Sequence, residues 1–134
     1  MLFWIYMTVI DLLIPIVMIG FGKTFLKRAP KEINGLYGYR TSMSMKNRDT
    51  WEFAHHHFGR IWFRLGIILL PLSAAVMCFG IGKDRDSVSD LGLALCIVQL
   101  IFLICPIFFT ERALRKNFDK EGTRKPDDMI NGNK

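Results

Sequence analysis

Residues 2–22 read LFWIYMTVIDLLIPIVMIGFG, a run whose one formal charge is Asp11. About 20 apolar helical residues cross the hydrocarbon core of a bilayer, so this stretch predicts a membrane-spanning helix. Two further runs repeat the pattern without any charge, Leu65–Gly82 and Leu91–Thr110. A soluble helix of such length would carry a polar stripe, and these carry none. Hydrophobic residues make up 51% of the chain; their concentration in three blocks, rather than at helical or strand period, argues against a soluble domain. No Lys or Arg precedes Lys23, and no small-residue cleavage pattern follows the first run. It therefore reads as a retained anchor and not as a signal peptide.

The connections decide orientation, because short loops rich in Lys and Arg stay in the cytoplasm. The first connection carries Lys23, Lys27, Arg28, Lys31, Arg40, Lys46, Arg48, Arg60 and Arg64. The second carries only Lys83 and Arg85, beside Asp84, Asp86 and Asp90, while the tail from Glu111 carries seven basic residues. With three spans the first loop and the tail share a side, so sixteen basic residues face two. The expected fold is an all-α membrane protein with three transmembrane helices, N-terminus outside and C-terminus inside. Its membrane domain is residues 1–110, with spans near 2–22, 61–82 and 91–110 and a cytoplasmic loop over 23–60; residues 111–134 form a polar cytoplasmic tail. The net charge of +6 then reports topology, reinforced by attraction to anionic lipid headgroups. No nucleic-acid recognition module accompanies it.

The second helix is expected to start well before its span. Asp49 followed three residues later by Glu52 has the form of a capping box, and nothing interrupts the pattern until Pro71, which membrane helices tolerate. A helix from about residue 50 to 82 would extend roughly 50 Å, longer than the core is thick, and so reach into the cytoplasm. Along it Gly59, Gly66, Ser73 and Gly80 recur every seven residues. Small residues on one face allow close helix approach in lipid; packing within the three-helix unit is the favoured reading over a dimer seam. Glu111–Glu121 has the composition to prolong the third helix, and the last ten or so residues lack any hydrophobic face and read as disordered.

Asp11 stands near the middle of its span, where an ionisable group is costly. Counted from the outer ends, Asp11, Ser73 and Gln99 reach a similar depth on three helices. Two readings stand: a polar midplane site, or a hydrogen-bonded cluster that locks packing. The first would make the protein a small transporter or lipid-handling component. His55, His56 and His57 point about 100° apart on a helix and lack the partners of a metal motif, so they read as interfacial polar residues. Cys78, Cys96 and Cys105 lie inside spans and read as packing residues. Neither a nucleotide-binding glycine pattern nor a nucleophile–base pair is present, so neither an enzyme nor a cofactor is expected.

The loop holds the most particular stretch, Gly38-Tyr39-Arg40-Thr41, between Asn34 and Trp51. Asn34, Gly38, Tyr39, Arg40, Thr41, Ser44, Asn47, Trp51, Ala54 and Gly59 together resemble the motif of the SdpI-type family of small bacterial membrane proteins. That motif is a glycine–aromatic-or-aliphatic–Arg-Thr loop followed by an Asn and a Trp opening the next helix, and here it spans residues 34–66. The resemblance implies a multi-pass protein of the bacterial cytoplasmic membrane that protects its cell against a secreted toxic peptide, by binding rather than turnover. Partners implied with it are the toxin and a transcriptional repressor that the family's prototype holds at the membrane; membrane lipids are expected independently, from the basic, hydroxyl-rich stretch Arg40, Thr41, Ser42, Ser44, Lys46 and Arg48. Longer members carry additional spans. Independently of the resemblance, the Tyr39–Thr41 segment is expected to fold back onto the start of the second helix near Trp51, since loop backbone groups at an interface need partners.

Overall fold

The computed structural model describes residues 1–31, 33 and 38–126. Asn34 and the end of the tail from 127 lie outside the described residues. Among the described residues three helices form the fold: α1, Leu2–Lys27; α2, Arg48–Cys78; and α3, Arg85–Asn117. They hold 26, 31 and 33 residues, and each is long and apolar enough to cross a membrane. Among the described residues there is no strand, only an isolated bridge between Phe118 and Arg124.

The distribution of polarity is inverted relative to a water-soluble bundle. Leu2 (85% exposed), Ile68 (61%) and Phe108 (73%) face outward, whereas Asp11, Ser73, Gln99 and Thr110 are fully buried. A soluble monomer does not expose so continuous an apolar surface. Lipid is the solvent that makes this arrangement stable, with apolar side chains outside and polar ones buried within. Each helix contains one proline, Pro15, Pro71 or Pro106.

Close backbone approach determines how α1 meets α2. A Cβ on Gly22 would lie 2.5 Å from Phe63 N and 2.9 Å from Gly59 O, and one on Gly59 would lie 2.8 Å from Gly22 O. A Cβ on Gly66 would come within 2.9 Å of Pro15 O. The heptad of small residues on α2 is thus covered by α1 at Gly59 and Gly66, while Ser73 bonds to α3. At the far end Trp4 Nε1 donates to Met77 O at 2.7 Å, satisfying one of the orphan carbonyls of a helix C-terminus.

The helix boundaries depart from the expected ones for identifiable reasons. The N-cap of α2 is Asn47, not Asp49: Asn47 Oδ1 accepts Thr50 N–H at 2.9 Å, and Thr50 Oγ1 accepts Asn47 N–H at 3.1 Å. Asp49 pairs with Arg124 at 2.8 Å and Glu52 with Arg48 at 2.9 Å, so neither carboxylate serves the cap. α2 stops at Cys78 in a series of turns through Gly82, whose φ is 78°. α3 starts at Arg85, before its span, capped by Asp84, whose carboxyl the Ser87 hydrogen bonds hold below its usual range. It ends at Asn117, short of Glu121. The chain then turns back: Asp119 N–H donates to Thr123 O at 2.9 Å and Lys125 N–H to Asn117 O at 2.8 Å. This turn is pinned to the cap of α2, since Asn47 Nδ2 donates to Gly122 O at 2.6 Å. Phe118, 1% exposed, anchors it. The three cysteines are free.

Candidate functional site

The loop between α1 and α2 is not a spacer but a structure latched to the first turns of α2. α1 ends at Lys27 with Arg28 as its C-cap, which is extended (φ −158°), and the chain passes through buried Ala29 and Pro30. Pro30 O accepts Trp51 Nε1–H at 2.9 Å and Arg48 Nη1–H at 3.1 Å, and Arg48 Nη1 also donates to Lys31 O. The indole is fully buried against His55, ring centroids 4.2 Å apart.

His55 is the centre of the latch. Its Nδ1 lies 2.8 Å from Trp51 O, and its Nε2 lies 2.9 Å from Tyr39 N. A carbonyl needs a donor and an amide N–H needs an acceptor, so the ring is the neutral Nδ1–H tautomer with Nε2 as acceptor. Gly38 is required twice here: its φ is 102°, and a Cβ would stand 2.6 Å from His55 Nε2. Tyr39, 5% exposed, lays its ring on Phe58 at 4.8 Å. Its hydroxyl donates to Glu111 Oε1 at 2.8 Å, with Ile107 O at 3.2 Å. Burial first, then the hydrogen bond and charge of Glu111, hold the phenol above its ordinary range, so it remains a donor.

Thr41 and Ser44 close the loop reciprocally. Thr41 N–H donates to Ser44 Oγ at 2.9 Å and Ser44 N–H to Thr41 Oγ1 at 3.2 Å. Ser44 O then accepts the Thr50 hydroxyl at 3.1 Å, joining the turn to the α2 cap. Arg40 is exposed at the rim of an open apolar groove of about 400 Å³, bordered by Phe21, Phe25, Phe58 and Trp62. The expected fold-back of Tyr39–Thr41 onto α2 is therefore present, but its contact runs from Tyr39 to His55, one turn beyond Trp51.

Sequence reasoning missed the histidines. His56 Nδ1 lies 2.9 Å from Leu26 O at the end of α1, and His57 Nδ1 lies 3.2 Å from Thr110 Oγ1 on α3. The 100° step between consecutive helical residues thus sends three imidazoles to three partners: loop, α1 and α3. That divergence, the same property that argues against a shared metal ion, was the available signal. Among the described residues no cluster of His, Cys, Asp and Glu is arranged to hold a metal.

Of the expected site residues, the structure brings Gly38, Tyr39, Thr41, Asn47 and Trp51 into this one latch, with Arg40 at its edge. Gly59 lies two turns further along α2, at the crossing with α1. Asp11, Ser73 and Gln99 form a second, separate node in the bundle: Gln99 Nε2 donates to Asp11 O and to Ser73 Oγ, both at 2.8 Å.

Three spanning helices with an inverted polarity and a latched, basic loop define a multi-pass membrane protein. The chain belongs to the SdpI/YfhL protein family, whose model matches residues 31–110, from the loop through α2 and most of α3. It is similar to the Uncharacterized protein YfhL of Bacillus subtilis (strain 168), 32% identical over 90 residues that cover 64% of this chain and 68% of that protein. No solved structure matches it.

Proposed function

We propose that this protein is an immunity factor of the bacterial cytoplasmic membrane, protecting its cell against a secreted, membrane-active peptide by binding it. The observation that carries the reading is the family match over residues 31–110, which spans the latched loop and the two helices it braces. Binding is favoured over turnover by how the polar groups are used. Both nitrogens of His55, the Ser44 and Thr50 hydroxyls and the Tyr39–Glu111 pair are engaged in bonds that hold the loop. A general base needs a free lone pair within reach of a substrate proton, and the two bonds of His55 leave its imidazole none.

The charge asymmetry supports an orientation with the loop and tail in the cytoplasm and the Lys83–Asp90 turn outside. Single cysteines introduced in a background lacking Cys78, Cys96 and Cys105 test this orientation. A membrane-impermeant thiol reagent should label a cysteine at Asp86 in intact cells, and one at Lys46 only after permeabilisation. The opposite pattern overturns the orientation.

An arriving peptide then meets the outer turn and the lipid-facing helix surfaces, while the latch stiffens the bundle from within. Expression in a sensitive bacterium should restore survival against a peptide encoded beside the gene, with the peptide recovered at intact mass. Cleaved peptide would replace binding by catalysis. Absence of protection against every neighbouring-gene peptide would overturn the immunity reading.

A further inference from the structure

The node at Asp11 contains more hydrogen-bond acceptors than donors. Asp11 is fully buried, and it is the only formally charged residue within Leu2–Gly22, Leu65–Gly82 and Leu91–Thr110. Both amide hydrogens of Gln99 are used, one on Asp11 O and one on Ser73 Oγ. Among the described residues three buried oxygens remain without a donor: Asp11 Oδ1, Asp11 Oδ2 and Gln99 Oε1. The carboxyl sits where α3 has no side chain, because a Cβ on Gly92 would stand 3.0 Å from Asp11 Oδ2 and 2.5 Å from Met7 Cε. α3 thus leaves a niche for this group and provides nothing in it that neutralises a charge.

An isolated carboxylate in so apolar a place is disfavoured by far more than any single packing contact returns, and such groups become neutral instead. Three neutralisers are conceivable. A basic side chain is excluded, since none lies in the spans and the residues against the node, Met7, Ser73, Gly92 and Gln99, are uncharged. A metal cation would find one carboxyl, an amide and a hydroxyl beside it, fewer oxygens than hard cations take, and a divalent one would leave excess positive charge as well. A proton balances the charge and adds one donor to a layer short of donors.

We propose that Asp11 is a proton-binding site, occupied in the folded bundle, and that this proton holds α1 against α2 and α3 at mid-membrane. The proposal goes beyond the immunity reading and does not depend on it. The site binds H⁺ through the carboxyl oxygens, with Gln99 fixing the α1 backbone and Gly92 leaving room for the acid. Losing the proton leaves an unpaired charge in the node and favours separation of α1 from α3.

Infrared spectroscopy of the full chain in nanodiscs tests this directly. At neutral pH the exposed carboxyls are ionised, so the wild type should show a single carbonyl-stretch band of a protonated acid. The band should shift down in D2O, change frequency in Asp11→Glu and vanish in Asp11→Asn. Thermal unfolding should show Asp11→Asn close to wild type at neutral pH and without the wild type's loss of stability at high pH, and Asp11→Leu less stable. The wild-type band and its D2O shift remain decisive if a variant fails to fold. Absence of the band at neutral pH overturns the proposal. So does stabilisation by Na⁺ or K⁺ over choline at equal ionic strength that Asp11→Asn abolishes, which would assign the node to a metal cation.

Discussion

Replacing Gly59 by valine should abolish the native, monodisperse protein in detergent, while Gly20→Ala leaves it unchanged. A Cβ on Gly59 would meet Gly22 O at 2.8 Å, Leu26 N at 2.9 Å and Phe25 Cβ at 2.9 Å. Two of these are backbone atoms of α1, which no rotamer change can move. The helices must separate along the whole crossing, and the reciprocal contact at Gly22, whose own Cβ would lie 2.5 Å from Phe63 N, is lost with it. Overpacking of this sort costs about 1–3 kcal/mol where side chains can adjust, and here it is the backbone that must move. Gly20 lies on the same helix as Gly22 but has nothing within 4 Å of its would-be Cβ, so alanine there adds helix propensity without a clash. Unfolding temperature and gel-filtration profile, read on both variants, check the pair. A Gly59→Val protein that melts with the wild type would mean that α1 and α2 do not cross here.

The seam was half legible in the sequence. Small residues every seven positions on α2 mark a face for a close neighbour, but the partner glycine, Gly22, belongs to no repeat and emerges only from the crossing itself. The spans were legible because hydrocarbon forbids charge over a length that geometry determines. The shared depth of Asp11, Ser73 and Gln99 was legible for the same reason, since three helices crossing one slab align their polar residues. The loop was legible as a motif but not as a mechanism. Asn47 and Asp49 are both good caps; what separates them is that Arg124, seventy-five residues away, takes Asp49, and no local pattern announces so distant a partner. The i, i+4 spacing of Glu111 and Arg115 predicts that α3 continues past its span, and it does so to Asn117, but no local pattern marks the turn that follows. Its order rests on one aromatic, Phe118, and on a bond to the α2 cap.

Replacing Trp51 by alanine should release the loop while leaving the three spans helical. Trp51 is fully buried: its ring lies on His55, its Nε1–H bonds Pro30 O, and its own carbonyl holds His55 in the tautomer that accepts Tyr39 N–H. Truncation of so large a buried side chain costs about 3–5 kcal/mol, and here it also frees the imidazole to turn away from Tyr39. Trp51→Phe retains an aromatic ring and loses one hydrogen bond, a smaller loss of about 1 kcal/mol. Trypsin reads the difference, because the loop carries Lys31, Arg40, Lys46 and Arg48. Cleavage between residues 31 and 48 should be fast in Trp51→Ala, slower in Trp51→Phe and slowest in the wild type, with helical circular dichroism retained in all three. His55→Ala should resemble Trp51→Ala, since it strands the same Tyr39 N–H. Equal cleavage rates across the series would mean that the loop is held by something other than this latch. The latch and the glycine seam are eight residues apart along α2, roughly 12 Å, but Phe25 joins them: its Cβ would stand 2.9 Å from a Cβ on Gly59, and its ring lies 4.9 Å from His55. A Trp51→Ala, Gly59→Ala double variant should therefore lose less stability than the sum of the two single losses; strict additivity would show that loop and crossing fold independently.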